Sequence, residues 1–188
     1  MIARNLRINP TRLWDMHMEM AKIGPGISGG NNRQTLTDDD KLGRDLFKRW
    51  CKEAGMKVSI DTMGNMFARR PGKNDSLPPV MAGSHLDTQP TGGRFDGIFG
   101  VLAALEAVRT MNDLGIQTKH PIEVVNWTNE EGSRFPPPMV GSGVFSGTFK
   151  EADAYAIEDA DGATLGNELE RIGYKGDIAC TQRPVKAF

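Results

Sequence analysis

The chain has 188 residues, enough for one domain or for one domain and part of a second, and its 23 lysines and arginines almost balance its 24 aspartates and glutamates. Because it has no basic patch and no apolar run near the ~20 residues of a membrane span, we expect neither a nucleic-acid nor a membrane partner. Two distant cysteines, Cys51 and Cys180, and the lack of an apolar signal segment predict a soluble, cytoplasmic protein with reduced thiols.

The first part of the chain predicts two helices and a hairpin. Apolar residues recur at helical spacing over residues 9–22, and a second helix begins after Thr37, which caps it ahead of three aspartates, and ends at Gly55. Between these helices, residues 24–32 contain four glycines and a proline, so they predict a loop that either folds over a ligand or only connects the helices. Two short apolar runs then predict a β-hairpin: residues 58–61 and 66–69.

The next part predicts a strand, a helix and a strand. Residues 79–84 and 121–127 are apolar and suit central strands. Residues 98–114 carry apolar side chains at helical spacing, and Gly115 ends this helix. This order implies a parallel crossover, so the expected fold class is α/β, with a mostly parallel central sheet flanked by helices. Two further elements are predicted near the end of the sequence: a capped helix over residues 164–173 and the start of a strand at residues 184–188.

Five side chains that suit metal-assisted hydrolysis stand at the ends of these predicted elements: His85, Asp87, Asp96, Glu130 and Glu131. Parallel strands present their carboxyl ends at one edge of a sheet, where ligands bind. Four of the five side chains follow strand ends, and the fifth precedes the helix between the strands. The sequence therefore predicts that all five lie on one rim.

Each of these residues also has a simpler interpretation. The pair His85 and Asp87 arises often by chance, Asp96 before a helix is an ordinary N-cap, and Glu130 and Glu131 suit a solvated loop end. However, adjacent carboxylates after a buried strand repel each other, and burying either without a cation is costly. In the functional interpretation, one glutamate binds metal and its neighbour accepts a proton from water.

A two-metal site needs a carboxylate that bridges ions about 3.5–4 Å apart, and Asp96 has two oxygens to do so. His85 and Glu131 would then each serve one metal, while Asp87 would orient His85 or another ligand. This arrangement gives each ion two protein ligands, fewer than the three usual for catalytic zinc. The remaining ligands must come from elsewhere.

Three segments together resemble a known family. Residues 83–90, residues 93–97, and residues 126–132 followed by Arg134 and Phe135 closely resemble the N-carbamoyl-amino-acid amidohydrolases. That group includes beta-ureidopropionase and allantoate amidohydrolase, within the di-metal aminoacylase and carboxypeptidase clan. Each motif alone is weak, but together they are specific, and the resemblance covers nearly the whole chain.

The resemblance implies a di-zinc peptidase-like catalytic domain, of which residues 1–188 would be the N-terminal portion, incomplete at its C-terminus. The separate dimerisation domain of the family would be absent, although a full-length member is expected to be a homodimer. The resemblance also implies two divalent metal ions, with zinc first and manganese, cobalt or nickel as alternatives. The substrate would be a small ureido compound, an N-carbamoyl amino acid.

The resemblance assigns a role to each of the five side chains. His85 would bind one metal, Glu131 the other, and Asp96 would bridge them, while Glu130 would be the general base and Asp87 its orienting partner. Allantoate amidohydrolase is the alternative within the same chemistry, and a dipeptidase or aminoacylase of the same clan is a further one. An alternative of another class is a non-catalytic metal-binding fragment of such an enzyme, because the ligand set is incomplete.

Overall fold

A computed structural model describes residues 6–188. Residues 1–5, which belong to the catalytic-domain portion predicted over residues 1–188, lie outside the described part. The helices are α1 (Pro10–Met20), α2 (Asp38–Glu53), α3 (Ile98–Asp113), α4 (Val140–Phe145), α5 (Glu151–Tyr155) and α6 (Leu165–Arg171). The strands are β1 (Lys57–Ile60), β2 (Met66–Arg70), β3 (Val80–His85) and β4 (Ile122–Trp127). None of the helices between residues 6 and 188 has the length and apolar character to cross a membrane.

The four strands form one sheet in the order β1-β2-β4-β3. The α/β fold class is confirmed, but the sheet is mixed rather than mostly parallel. Only β3 and β4 pair in parallel, because the predicted hairpin of β1 and β2 adds to β4 in the antiparallel direction. The strand β3 was expected at the centre of the sheet but lies at one edge of these four strands. Ala187, in the segment where the sequence predicts the start of a further strand, forms a parallel bridge with Val80 of β3.

The helix α3 packs against β3 and fixes the position of the strand's carboxyl end. Its apolar stripe is fully buried: Ile98, Val101, Leu102, Leu105 and Val108. Each such side chain contributes about 1.5–3 kcal/mol when it is removed from water. On α1, His17 is 2% exposed and its ring stacks on Phe99, so this histidine is a packing residue.

Side-chain caps set the starts of three predicted helices, and the first of them is Asn9, whose Oδ1 accepts a hydrogen bond from the Arg12 amide in α1. The Thr37 hydroxyl accepts a hydrogen bond from the Asp40 amide at the start of α2, and the Thr164 hydroxyl accepts one from the Asn167 amide at the start of α6. By contrast, α4 was not predicted, because its sequence contains two glycines. One of them, Gly141, sits where a Cβ would lie 2.3 Å from Asn65 Oδ1, so close packing and not flexibility explains this glycine.

Candidate active site

The candidate site lies at the edge of the sheet where β3 and β4 end side by side. The two strands pair in parallel with His85 opposite Trp127, so the segments that follow them leave the sheet at the same edge. Asp87 follows β3, and Glu130 and Glu131 follow β4. Hydrogen bonds and close approaches join the side chains or backbone of these four residues.

His85 is 4% exposed, and a backbone oxygen lies against one nitrogen of its ring. Its Nδ1 lies 2.9 Å from the backbone oxygen of Asp87, a distance that suits donation from Nδ1 to this carbonyl. In the neutral ring, Nε2 then carries the free lone pair, and this is the form that binds a metal. Nε2 lies 3.2 Å from Glu130 Oε2, which is also an acceptor, so a proton or a cation is needed to make this approach favourable.

The carboxylate of Asp87 connects the segments that follow the two strands. It is 2% exposed, and its oxygens accept hydrogen bonds from the backbone amides of Glu130 and Glu131, at 3.4 and 3.2 Å. Burial raises the pKa of Asp87 to about 6, against the opposing effect of the nearby His85 ring. Asp87 therefore orients His85 through its backbone oxygen, while its side chain holds the two glutamates in place.

The side chain of Glu131 is held by one oxygen only. Gln89 Nε2 donates a hydrogen bond to Glu131 Oε2 at 2.7 Å. The other oxygen, Oε1, is buried and has no hydrogen-bond partner among the described residues. A buried carboxylate oxygen without a partner is costly, so this atom is suited to receive a cation or a donor that protein atoms do not supply.

Asp96 lies in the exposed turn before α3, and its side chain makes no hydrogen bond or ion pair within residues 6–188. The interpretation of Asp96 as an N-cap is wrong, because Gly97 occupies that position and no side chain caps the helix. Gly97 also brings the turn against the site. A Cβ at this position would lie 2.3–2.5 Å from the atoms of the His85 ring, and the residue has a φ of +68°. The backbone of the turn therefore lies against His85, while the Asp96 carboxylate stays free.

We expect Gly97→Ala to lower the free energy of unfolding by about 2–3 kcal/mol, because it adds a clash with His85 to an unfavourable backbone conformation. The matched control is Gly115→Ala, at φ +63° with no atom within 4 Å of the added Cβ, for which we expect about 1 kcal/mol. Urea unfolding of both variants measures the difference. Equal losses would show that the turn does not press on the His85 ring.

The residues at this edge fit a divalent metal in their chemistry but do not form a complete cage. Within residues 6–188, no three His, Cys, Asp or Glu side chains are arranged to hold a metal ion. The fit rests on the lone pair of His85 Nε2 for the neutral ring, on the unpartnered Glu131 Oε1 and on the free Asp96 carboxylate. An imidazole with carboxylates is a donor set that zinc and related metals accept.

Two residues that support the site were not singled out from the sequence. Gln89 contacts Glu131 across the edge, and only the folded structure shows this pairing. Asn129 has a φ of +55°, and its Nδ2 donates to the Phe135 backbone oxygen at 2.7 Å, which shapes the loop holding both glutamates. An asparagine directly before Glu130 was the available indication, since asparagine adopts this conformation more readily than most residues.

Comparison with known proteins places this geometry in context. The profile of Peptidase family M20/M25/M40 matches residues 81–175, a range that contains all five predicted site residues. An N-carbamoyl-L-amino-acid amidohydrolase from Rhizobium meliloti is 61% identical over 184 residues, which cover 98% of this chain and 44% of that protein. An allantoate amidohydrolase from Bacillus subtilis is 33% identical over 155 residues, covering 82% of this chain and 38% of that protein.

The fold is also similar to solved structures. The crystal structure of an amidase of the hydantoinase/carbamoylase family from Burkholderia multivorans superposes with a TM-score of 0.96 and 58% sequence identity. The superposition covers 97% of this chain and 45% of that one. The chain therefore spans less than half the length of the relatives it matches.

Proposed function

Because the chain belongs to Peptidase family M20/M25/M40, we propose that it carries part of the catalytic site of a metal-dependent hydrolase of linear amide C–N bonds. The activity we propose is that of an N-carbamoyl-amino-acid amidohydrolase, acting on a small ureido substrate. The observation that carries this proposal is the grouping of His85 with Asp87, Glu130 and Glu131 where β3 and β4 end. The identity of 61% to a relative named for that activity supports it.

We propose that His85 and Glu131 would each serve one of two divalent metal ions and that Asp96 would serve both, with zinc as the first choice over manganese, cobalt or nickel. Such ions polarise a carbonyl oxygen and make water a stronger nucleophile at neutral pH. The partly buried Glu131 supplies an oxygen without a protein partner, and His85 is fixed with its Nε2 directed away from Asp87. Further ligands are needed beyond these three residues.

Glu130 is the proposed general base, because its side chain is 33% exposed and reaches the same edge as His85 Nε2. It takes a proton from the attacking water and gives it to the departing nitrogen as the carbamoyl C–N bond breaks. Asp87 keeps Glu130 in place through the backbone amide of that residue. One water is consumed for each ureido group, and the products are the amino acid, ammonia and carbon dioxide.

The substrate can be tested with the product of the complete gene. We expect hydrolysis of N-carbamoyl-L-amino acids with a higher kcat/KM than that of N-carbamoyl-beta-alanine or allantoate, since identity is 61% to the carbamoyl relative and 33% to the allantoate relative. Ammonia release measures all three substrates. A preference for allantoate would favour the alternative allantoate amidohydrolase, and no ammonia release from any of the three substrates would reject the ureido assignment.

The homodimer and the cytoplasmic location remain predictions.

A second candidate, a non-catalytic metal-binding fragment, is favoured by one observation. Within the described residues, no three candidate ligands are already arranged around a metal position. For the 188-residue chain alone we therefore propose weak binding of divalent metal. Titration calorimetry that shows two tight zinc sites, together with turnover, would reject this candidate.

A further inference from the structure

A buried arginine lies directly behind the candidate site. Arg33 is 0% exposed, and within residues 6–188 its guanidinium forms no ion pair with a carboxylate. Instead it donates to backbone oxygens: from Nε to Leu86 at 2.9 Å, and from Nη1 to Ile23 at 2.8 Å and Met20 at 3.3 Å. A charged group buried in this way is costly, so its retention points to a task that an apolar side chain could not perform.

Arg33 holds the chain on both sides of Asp87. Its Nε bonds to the Leu86 oxygen, its backbone amide donates to Thr88 Oγ1 at 2.8 Å, and its backbone oxygen accepts from the Thr88 amide at 2.9 Å. The peptide groups flanking Asp87 are thereby fixed by one residue. This matters because the backbone oxygen of Asp87 is the group that lies 2.9 Å from His85 Nδ1.

The surroundings of Arg33 leave space for its stem, although its Nη2 is buried without a hydrogen-bond partner among the described residues. A Cβ added at Gly43 on α2 would lie 3.0 Å from Arg33 Cδ, and one added at Gly24 would lie 3.0 Å from Arg33 Cβ. Gly43 therefore leaves room for the arginine stem, while Gly24 meets Arg33 only at its Cβ and backbone. Burial lowers the pKa of the guanidinium, while the negative charges of Asp40 and Asp87 act in the opposite direction.

We infer that Arg33 is a positioning residue, which sets the ring orientation and tautomer of His85 through the backbone of residues 86–88. The carboxylate of Asp87 carries the same constraint to the backbone amides of Glu130 and Glu131. This role deepens the proposed function and rests on it for its chemical purpose. The contacts themselves are tested independently of hydrolysis.

The test is the tautomer of the neutral His85 ring in the metal-free chain carrying Glu130→Gln, because the glutamine amide can donate to Nε2 and so replaces the carboxylate acceptor on that side. Long-range proton–nitrogen NMR correlations measure it. The chain has three histidines, so the ring signals can be assigned by substitution. The variants are Arg33→Lys, which cannot reproduce the planar fork of donors, and Gly43→Ala, which keeps Arg33 but presses on its side chain. Arg109→Lys is the control, since Arg109 Nη2 also donates to a backbone oxygen, that of Trp50.

In the Glu130→Gln background with Arg33 intact we expect His85 to carry its proton on Nδ1, against the Asp87 backbone oxygen. In Arg33→Lys we expect the ratio of the Nδ1-protonated to the Nε2-protonated ring to fall about fivefold, the effect of weakening one hydrogen bond. Gly43→Ala should give a smaller change in the same direction. His120, whose Nδ1 lies 2.8 Å from the Pro78 oxygen, and the Arg109→Lys chain should be unchanged.

An unchanged His85 ratio in the folded variants would overturn the inference, as would an equal change in Arg109→Lys or, with Arg33 intact in the Glu130→Gln background, a ring protonated on Nε2. If Arg33→Lys does not fold, Gly43→Ala decides alone. Failure of the proposed ureido hydrolysis would be seen in a different measurement, as the absence of ammonia release by the product of the complete gene. The two failures are therefore distinguishable.

Discussion

Replacing Glu130 by glutamine is expected to lower kcat for ureido hydrolysis about 10²–10⁴-fold in the product of the complete gene, the range for loss of a general base. Glutamine keeps the size of the side chain and can still approach His85 Nε2, which lies 3.2 Å from Glu130 Oε2, but it cannot accept the proton. Metal affinity should be unchanged, because we assign Glu130 no metal. Steady-state kinetics and metal titration of the same preparation measure the two effects.

Glu158→Gln is the matched control, since Glu158 is exposed on the segment between α5 and α6 and far along the chain from the site. It makes the same chemical change and should leave kcat as it is. If Glu130→Gln retained the wild-type kcat, another group would have to carry the proton. If it lost metal as well, Glu130 would be a ligand, and the roles of the two adjacent glutamates would be exchanged.

Replacing His85 by alanine is expected to weaken metal binding by more than about 100-fold, the upper end of the loss found when only a supporting partner of a ligand is removed. His85 is the imidazole at the candidate site, and its Nδ1 is already engaged by Asp87. Competition with a chelator of known affinity, followed in the product of the complete gene, gives the dissociation constant for each variant.

His120→Ala is the control for that experiment. His120 Nδ1 also lies close to a backbone oxygen, that of Pro78 at 2.8 Å, but the residue precedes β4 at the opposite end from Glu130. We expect no change in metal affinity for this variant. Equal weakening in both variants would indicate nonspecific binding, and no weakening in His85→Ala would remove the imidazole from the ligand set.

The parts of the fold that local sequence determines were predictable. Residues 98–114 predict α3 because its apolar side chains recur at helical spacing, and the observed helix is Ile98–Asp113. Thr37 predicts the start of α2 because its hydroxyl accepts the Asp40 amide. The antiparallel addition of β2 to β4 was not predictable in this way, since it depends on pairing between segments distant in the chain.

The same distinction holds for the candidate site. The positions of His85 and Glu130 after two apolar strands indicated that they would meet, because parallel strands end at one edge. The contacts that hold them were not visible in the sequence. Gln89 and Arg33 act on residues 42 and 53 positions away, and nothing in the local pattern of either residue indicates its partner.

Anomalous X-ray diffraction at the zinc edge, from crystals grown with zinc, shows whether His85, Asp96 and Glu131 bind the metal ions. We expect zinc density within about 2.0–2.2 Å of His85 Nε2 and of carboxylate oxygens of Glu131 and Asp96. Zinc bound elsewhere, or zinc density beside none of these three side chains, would remove them from the proposed metal site.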